Sequence, residues 1–369
     1  MNTVRLLRLA AFLMASFSVR DTHASEVQSA LEWKSECVGR MQIMVPGDVE
    51  FAALMPVGLQ QEIKGAASES GYVFHDGERA SKTRFDYGGV LFITHELDKN
   101  TQLQLRRSAS KWLNEMSDIV NKKHRRNEDS TPMAFENLQV AGNGAIGWRV
   151  NSLFTAYMDV GKSSILWKVR ARPEDMAATR RAYNFLIAGT TPRETFSTPA
   201  RPGVCLPYLF IQDDGETSRV IAMTYRLKSH PDITIWLEDA SASVVEDLGR
   251  DEYQSPAYRI PNFWVQYKLF DEKLTSLWNF PMTRPIEMNG IKGSASYMKI
   301  TRADKSEDFG FFAVVRGKAA GAREFSDLSL LVVRDSAKAR GKKIAPIDEK
   351  IFLEIAEGVA ASVKSRPTR

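Results

Sequence analysis

The sequence predicts an α+β protein of two domains, each a mainly antiparallel sheet with packed helices. Three observations lead there. The chain has 369 residues, more than one ordinary core encloses and enough for two domains of middling size. Short runs of strand composition recur in both halves, and each half ends on an amphipathic helix. Between the halves, residues 190–203 place Pro192, Pro199 and Pro202 among Thr, Ser and Arg, the composition of an exposed, fairly stiff linker. The expected domains are therefore 33–192 and 203–369. A shared plan suggests a distant duplication. Each half opens on a Cys followed by an apolar stretch, and each carries a late Asn-Gly pair, Asn143-Gly144 and Asn289-Gly290.

The first segment reads as an address. Arg5 and Arg8 precede an apolar run over 9–19, and Thr22-His23-Ala24 sets small residues where a signal peptidase reads. Cleavage is expected after about Ala24, which releases the protein into the periplasm. It removes Arg5, Arg8, Arg20 and Asp21 and lowers the net charge from +5 to +3. The competing reading is a buried N-terminal helix, and Arg20 and Asp21 beside the cleavage point speak for it.

In the first half, 41–45 and 90–95 have strand composition. Apolar residues recur at helical spacing from Trp112 to Val120. Residues 145–159 and 163–170 read as an antiparallel pair. Residues 173–186 read as a helix, with Pro173 in its first turn and Glu174 and Asp175 at its positive end. In the second half, 206–212 and 220–227 flank Asp213-Asp214-Gly215-Glu216, a hairpin turn by composition. Strands follow at 233–237, 294–300, 309–315 and 328–333. A short helix is expected at 271–278. The last helix spans 348–364, capped by Asp348, with Phe352, Ile355, Val359 and Val363 on one face.

Charge and motifs exclude much. Fifty basic and 45 acidic residues are well mixed, which does not suit a nucleic-acid binder. Past the N-terminus no apolar run is long enough to span a bilayer, so no integral membrane contact is expected. No G-x-S-x-G nucleophile turn occurs, and His95-Glu96 lacks the second His of a zinc protease helix. Gly161-Lys162-Ser163 lacks the earlier Gly of a phosphate loop. Gly142, Gly144 and Gly147 are followed by strand composition where a dinucleotide site needs a helix. Asp213, Asp214 and Glu216 lack the alternating ligands of a calcium loop. No cofactor, metal or catalytic residue is expected.

Some features stay open on sequence alone. Cys37 and Cys205, 168 positions apart, are either a disulfide or two buried thiols. A bond closing that loop restricts the unfolded chain by roughly 4–5 kcal/mol in the entropic model. Lys122-Lys123-His124-Arg125-Arg126, and more weakly Arg340-Gly341-Lys342-Lys343, are solvated charge or contacts for an acidic partner. The aromatics between Tyr253 and Phe280 either cover the second core or anchor a protein partner.

The string Glu36-Cys37-Val38-Gly39-Arg40-Met41-Gln42-Ile43-Met44-Val45-Pro46 resembles the opening of the two-domain immunity proteins that pair with class 4 lipase effectors of type VI secretion. The second half resembles the family's C-terminal domain: Cys205 opens it, His230-Pro231-Asp232 lies between strands, and Gly290-Ile291-Lys292-Gly293 leads into the late strands. Pro46-Gly47-Asp48 lacks the acidic residue that often follows the Pro, and Ser294 stands where a more acidic run is expected. The resemblance implies a periplasmic inhibitor of a secreted phospholipase of the α/β-hydrolase type, clamping the toxin's lid or substrate entrance with both domains. Two other readings compete: an envelope chaperone or scaffold without catalysis, and an enzyme built on His95 with Glu96 or on Asp213 with Glu216.

Overall fold

The strand Arg219–Leu227 carries the architecture. Its apolar interior, Val220 to Tyr225, favours extended backbone, and every one of its residues is buried. On one side it pairs antiparallel with Ile233–Ala240. On the other it pairs with Arg84–Tyr87 along one stretch and Val49–Phe51 along the next. A computed structural model describes residues 32–125, 134–138, 144–213, 217–242, 255–266, 276–278, 283–317, 319–320, 323–324 and 326–367. The described residues from Lys34 onward form one compact unit. The proposed signal segment 1–24 lies outside the described residues.

From Arg219–Leu227 one large antiparallel sheet extends both ways. Beyond Ile233–Ala240 come Asp327–Arg334, Glu307–Val315 and Ile291–Thr301, with Thr283–Met288 and Ser276–Trp278 at the edge. Beyond Arg84–Tyr87 come Val90–Ile93, Ser163–Arg170, Leu153–Val160, Ile146–Val150 and Phe135–Leu138. The halves expected from the sequence thus share this sheet.

Helices cover both faces because successive strand residues alternate sides. In the first half, Pro56–Ile63 and Lys99–Arg125 pack on Trp148, Tyr157 and Leu166. Met176–Gly189 sets Tyr183 against Trp167, ring centroids 5.3 Å apart. In the second half, Pro256–Gln266 packs Ile260 and Trp264 on Trp236 and Phe312. Glu349–Ser362 packs Phe352 on Phe309, centroids 5.4 Å apart. Two small sheets flank the large one: Trp33–Val38, Met41–Pro46 and Lys364–Ser365, and Thr190–Pro192, Leu209–Gln212 and Gly203–Leu206.

Several sequence expectations change. The helix expected from Trp112 runs from Lys99 to Arg125, because Asp98 accepts the Thr101 N–H at 2.9 Å and caps it. The expected 145–159 strand is a hairpin, Ile146–Val150 and Leu153–Val160, turned at Asn151 with φ +52°. Residues 206–212 likewise break at Pro207-Tyr208 into Gly203–Leu206 and Leu209–Gln212. The latter pairs in its own small sheet and not with Arg219–Leu227, so Asp213 opens a connection between sheets and no hairpin. Asp213 is drawn inward by Arg40 Nη2 at 2.7 Å and the Tyr87 hydroxyl at 2.6 Å. Residues 214–216 lie outside the described residues. The expected 271–278 helix fails at its end: Ser276–Trp278 pairs with Ile291–Thr301, whose open edge supplies backbone partners, and 271–275 lie outside the described residues. The linker is also no exposed strap, since Thr190–Pro192 is a strand and Arg193 is buried. Met176–Gly189, after the short turn Pro173–Asp175, and Glu349–Ser362, capped by Asp348, follow the sequence reading closely.

Candidate functional site

The halves meet in a buried polar knot built on the Cys-x-Gly-Arg string. Gly39 and Cys205 exchange backbone hydrogen bonds of 2.9 and 2.8 Å, which sets their strands side by side. Cys37 and Cys205, both fully buried, are joined there by a disulfide with Cα atoms 5.8 Å apart. Gly39 has φ +56°, and a Cβ there would lie 2.3 Å from Asp239 Oδ2. That oxygen accepts the Arg40 N–H at 2.7 Å, while Arg219 grips both Asp239 oxygens at 2.8 Å. Burial pushes the Asp239 carboxyl up, but Arg219 and the Arg40 N–H outweigh it and hold it below the usual range. Glu36 is buried beside it and accepts from Arg193 at 2.6 Å and from the N–H groups of Cys37 and Phe196 at 2.7 Å.

A cleft of about 450 Å³ opens on the same seam. Phe51, Tyr208 and Leu227 line its apolar part, and Glu50, Glu96 and Arg226 its polar part. Arg226, at the end of the seam strand, is buried and reaches Glu50 at 2.7 Å, Asp76 at 2.8 Å and Glu78 at 3.1 Å. Burial raises the Asp76 carboxyl, but Lys342 at 2.7 Å and Arg226 reverse the shift and hold it low. Glu50 is held low in the same way, against its burial, by the His75 N–H and Arg226.

Of the residues weighed for chemistry, His95 and Asp213 are tied into the packing of the chain. His95 is buried, donates from Nε2 to the Val73 carbonyl at 2.8 Å, and lies tilted against the His75 ring with centroids 4.0 Å apart. Burial first, and His75 second, lower its pKa to about 4, so it is a neutral core side chain at neutral pH. Glu96 is half-exposed and faces Lys162 at 4.0 Å. Asp213 serves Arg40 and Tyr87, and its proposed companions Asp214 and Glu216 lie outside the described residues. Among the described residues no group of three or more His, Cys, Asp or Glu could hold a metal. Gly161 turns the hairpin between Leu153–Val160 and Ser163–Arg170. After Gly144 comes Ile146–Val150, a strand, and Gly142 and Asn143 lie outside the described residues.

The basic clusters and the aromatic stretch resolve in part. Lys342 pairs with Asp76 and Arg340 with Asp304 at 3.0 Å, so that cluster's acidic partners are the chain's own. Lys122 lies in the last turn of the long helix, exposed, and the side chains of 123–125 and residue 126 lie outside the described residues. Phe263 stacks on Phe312 at 3.9 Å and Trp264 donates to Ser296 Oγ at 2.6 Å, so both cover the second core. Tyr253, Tyr267, Phe270, Phe280 and the Trp278 side chain lie outside the described residues. Asp232 is buried and receives Arg334 at 3.1 Å. The seam cleft was not foreseen. Its sequence signal is an arginine near each end of an apolar strand, Arg219 and Arg226, each needing a carboxylate once buried.

This fold is that of immunity proteins of type VI secretion. The apo immunity protein TplEi from Pseudomonas aeruginosa superposes with a TM-score of 0.58 at 16% identity, covering 91% of this chain and 98% of that one. TplEi complexed with an "L" peptide gives 0.53 at 16% identity, covering 91% and 99%. The Tle4–Tli4 complex gives 0.56 at 15% identity, covering 91% and 98%. In sequence, residues 197–368 match the Tle cognate immunity protein 4 C-terminal domain. No curated protein matches the chain.

Proposed function

We propose that this chain is a periplasmic immunity protein that binds and inhibits a type VI secretion phospholipase effector, blocking its lid or substrate entrance with both halves. One observation carries the reading: the immunity-protein fold extends over 91% of the chain, and the family match covers the second half. The Tle4–Tli4 complex supplies the precedent of a relative paired with its effector. The seam supports the two-handed mode. Disulfide, ion pairs and shared sheet hold the halves at one geometry, so a partner bridging them orders little on binding. The division into domains 33–192 and 203–369 belongs to the same proposal. So does export by the segment 1–24, which the buried disulfide suits, because such bonds persist in oxidising compartments.

The test is periplasmic co-expression with the lipase encoded beside this gene. Rescue from killing and a purified one-to-one complex without lipase activity establish the inhibitor. Correct export with neither rescue nor complex transfers the fold to an envelope chaperone without catalysis.

A further inference from the structure

Among the described residues, six other than glycine have left-handed backbone. Four are Asn or Lys: Asn151, Asn289, Lys305 and Lys343. The other two are aromatic, Phe196 at φ +66° and Tyr208 at φ +62°. A bulky side chain is costly there, and Gly or Asn holds such a position more easily. Of the two aromatic outliers, Tyr208 lines the seam cleft, and Phe196 is the chain neighbour of Thr195, which also lines it. Tyr208 comes after Pro207 in the turn between Gly203–Leu206 and Leu209–Gln212, the place where a Pro-initiated turn calls for Gly. Strained residues persist where their side chains are needed, and they cluster at functional sites.

The Tyr208 ring stands edge-to-face on Phe51, centroids 5.4 Å apart. Burial, then Glu96 and Glu50, push its hydroxyl well above the usual range, so both carboxylates act on it. The cations of the lining, Arg226 and Lys228, are turned to carboxylates other than Glu96. Arg226 is divided among Glu50, Asp76 and Glu78, and Lys228 acts on Asp48. Glu96 is half-exposed, with Lys162 at the 4.0 Å limit of an ion pair. An aromatic face beside an accessible carboxylate fits a cation.

We propose that Tyr208 is a partner-contact residue, and that the seam cleft receives a Lys or Arg side chain from a loop of the lipase effector, seated on the Tyr208 ring beside Glu96. This rests on the effector reading above. A rigid aromatic anchor carries a large share of binding energy at an interface and accounts for the retention of Tyr where Gly suits the backbone.

The experiment titrates the lipase encoded beside this gene against the wild type and Tyr208→Gly, Tyr208→Phe and Glu96→Lys, with a thermal melt of each. Tyr208→Gly is expected to weaken binding by about tenfold or more while still melting cooperatively, below the wild type because the contact with Phe51 is lost, and Tyr208→Phe to bind within about threefold. Glu96→Lys, on an exposed side chain, is expected to lose about tenfold as well. Should Tyr208→Gly fail to fold, Tyr208→Asn and Glu96→Lys carry the same expectation. Wild-type binding with unchanged affinity in Tyr208→Gly, or in Glu96→Lys, overturns the anchor and leaves the effector reading standing. No binding by the wild type overturns both.

Discussion

Gly39 illustrates how much one residue holds at the seam. Its left-handed backbone excludes ordinary side chains, and a Cβ would press on the oxygen of Asp239 that serves Arg219 and Arg40. Gly39→Ala therefore adds backbone strain to damage in a buried charge pair. The expected loss is about 2–4 kcal/mol, read by urea unfolding. Arg226 is the second such residue. Arg226→Met removes the cation shared by Glu50, Asp76 and Glu78. The sign of the pH effect follows from the direction of the Asp76 and Glu50 shifts. Both carboxyls are held low in the folded protein, so their contribution is present above their unfolded values, 3.8 and 4.5, and is lost as pH falls through the folded values. Arg226→Met is expected to be less stable at neutral pH and to show a flatter loss of stability below about pH 4. A set of unfolding curves from pH 7 to pH 3 checks both statements.

Among the elements, the disulfide joins the strand Trp33–Val38 to Gly203–Leu206 across 168 residues. The double variant Cys37→Ser/Cys205→Ser is expected to lose roughly 4–5 kcal/mol of unfolding free energy, chiefly through a freer unfolded chain. Because both sulfurs are fully buried, a mild reductant should leave the native protein oxidised until denaturant opens it, as thiol titration with and without urea reveals. Element by element, periodicity was a good guide where it had length. Glu349–Ser362 was legible because Asp348, Phe352, Ile355 and Val359 repeat at helical spacing. The hairpin at Asn151 was not, because Asn-Ser is a weak turn signal and both its flanks have strand composition. The 213–216 turn was misread for another reason. Turn composition says that the chain reverses, and it says nothing about which strands pair afterwards.

For the whole molecule, the sheet crosses from one half to the other along Arg219–Leu227, and this sets a test of the two-domain proposal. Expressed alone, residues 203–369 expose one edge of that apolar strand and leave Arg226 without its three carboxylates. That fragment is expected to be mostly insoluble, and co-expression with 33–192 to recover it, as the soluble fraction of each culture measures. The sequence by itself determined the α+β class, the strands and helices with long periodic patterns, and the resemblance to an immunity family, because these rest on local spacing and short contiguous strings. Only the tertiary structure decided that Cys37 meets Cys205, that the linker's Arg193 is buried on Glu36, and that Arg226, Glu50 and Tyr208 share one cleft. Those residues lie up to 176 positions apart. A contact over that distance leaves no period in the sequence, and it forms only when strand pairing brings the two halves together.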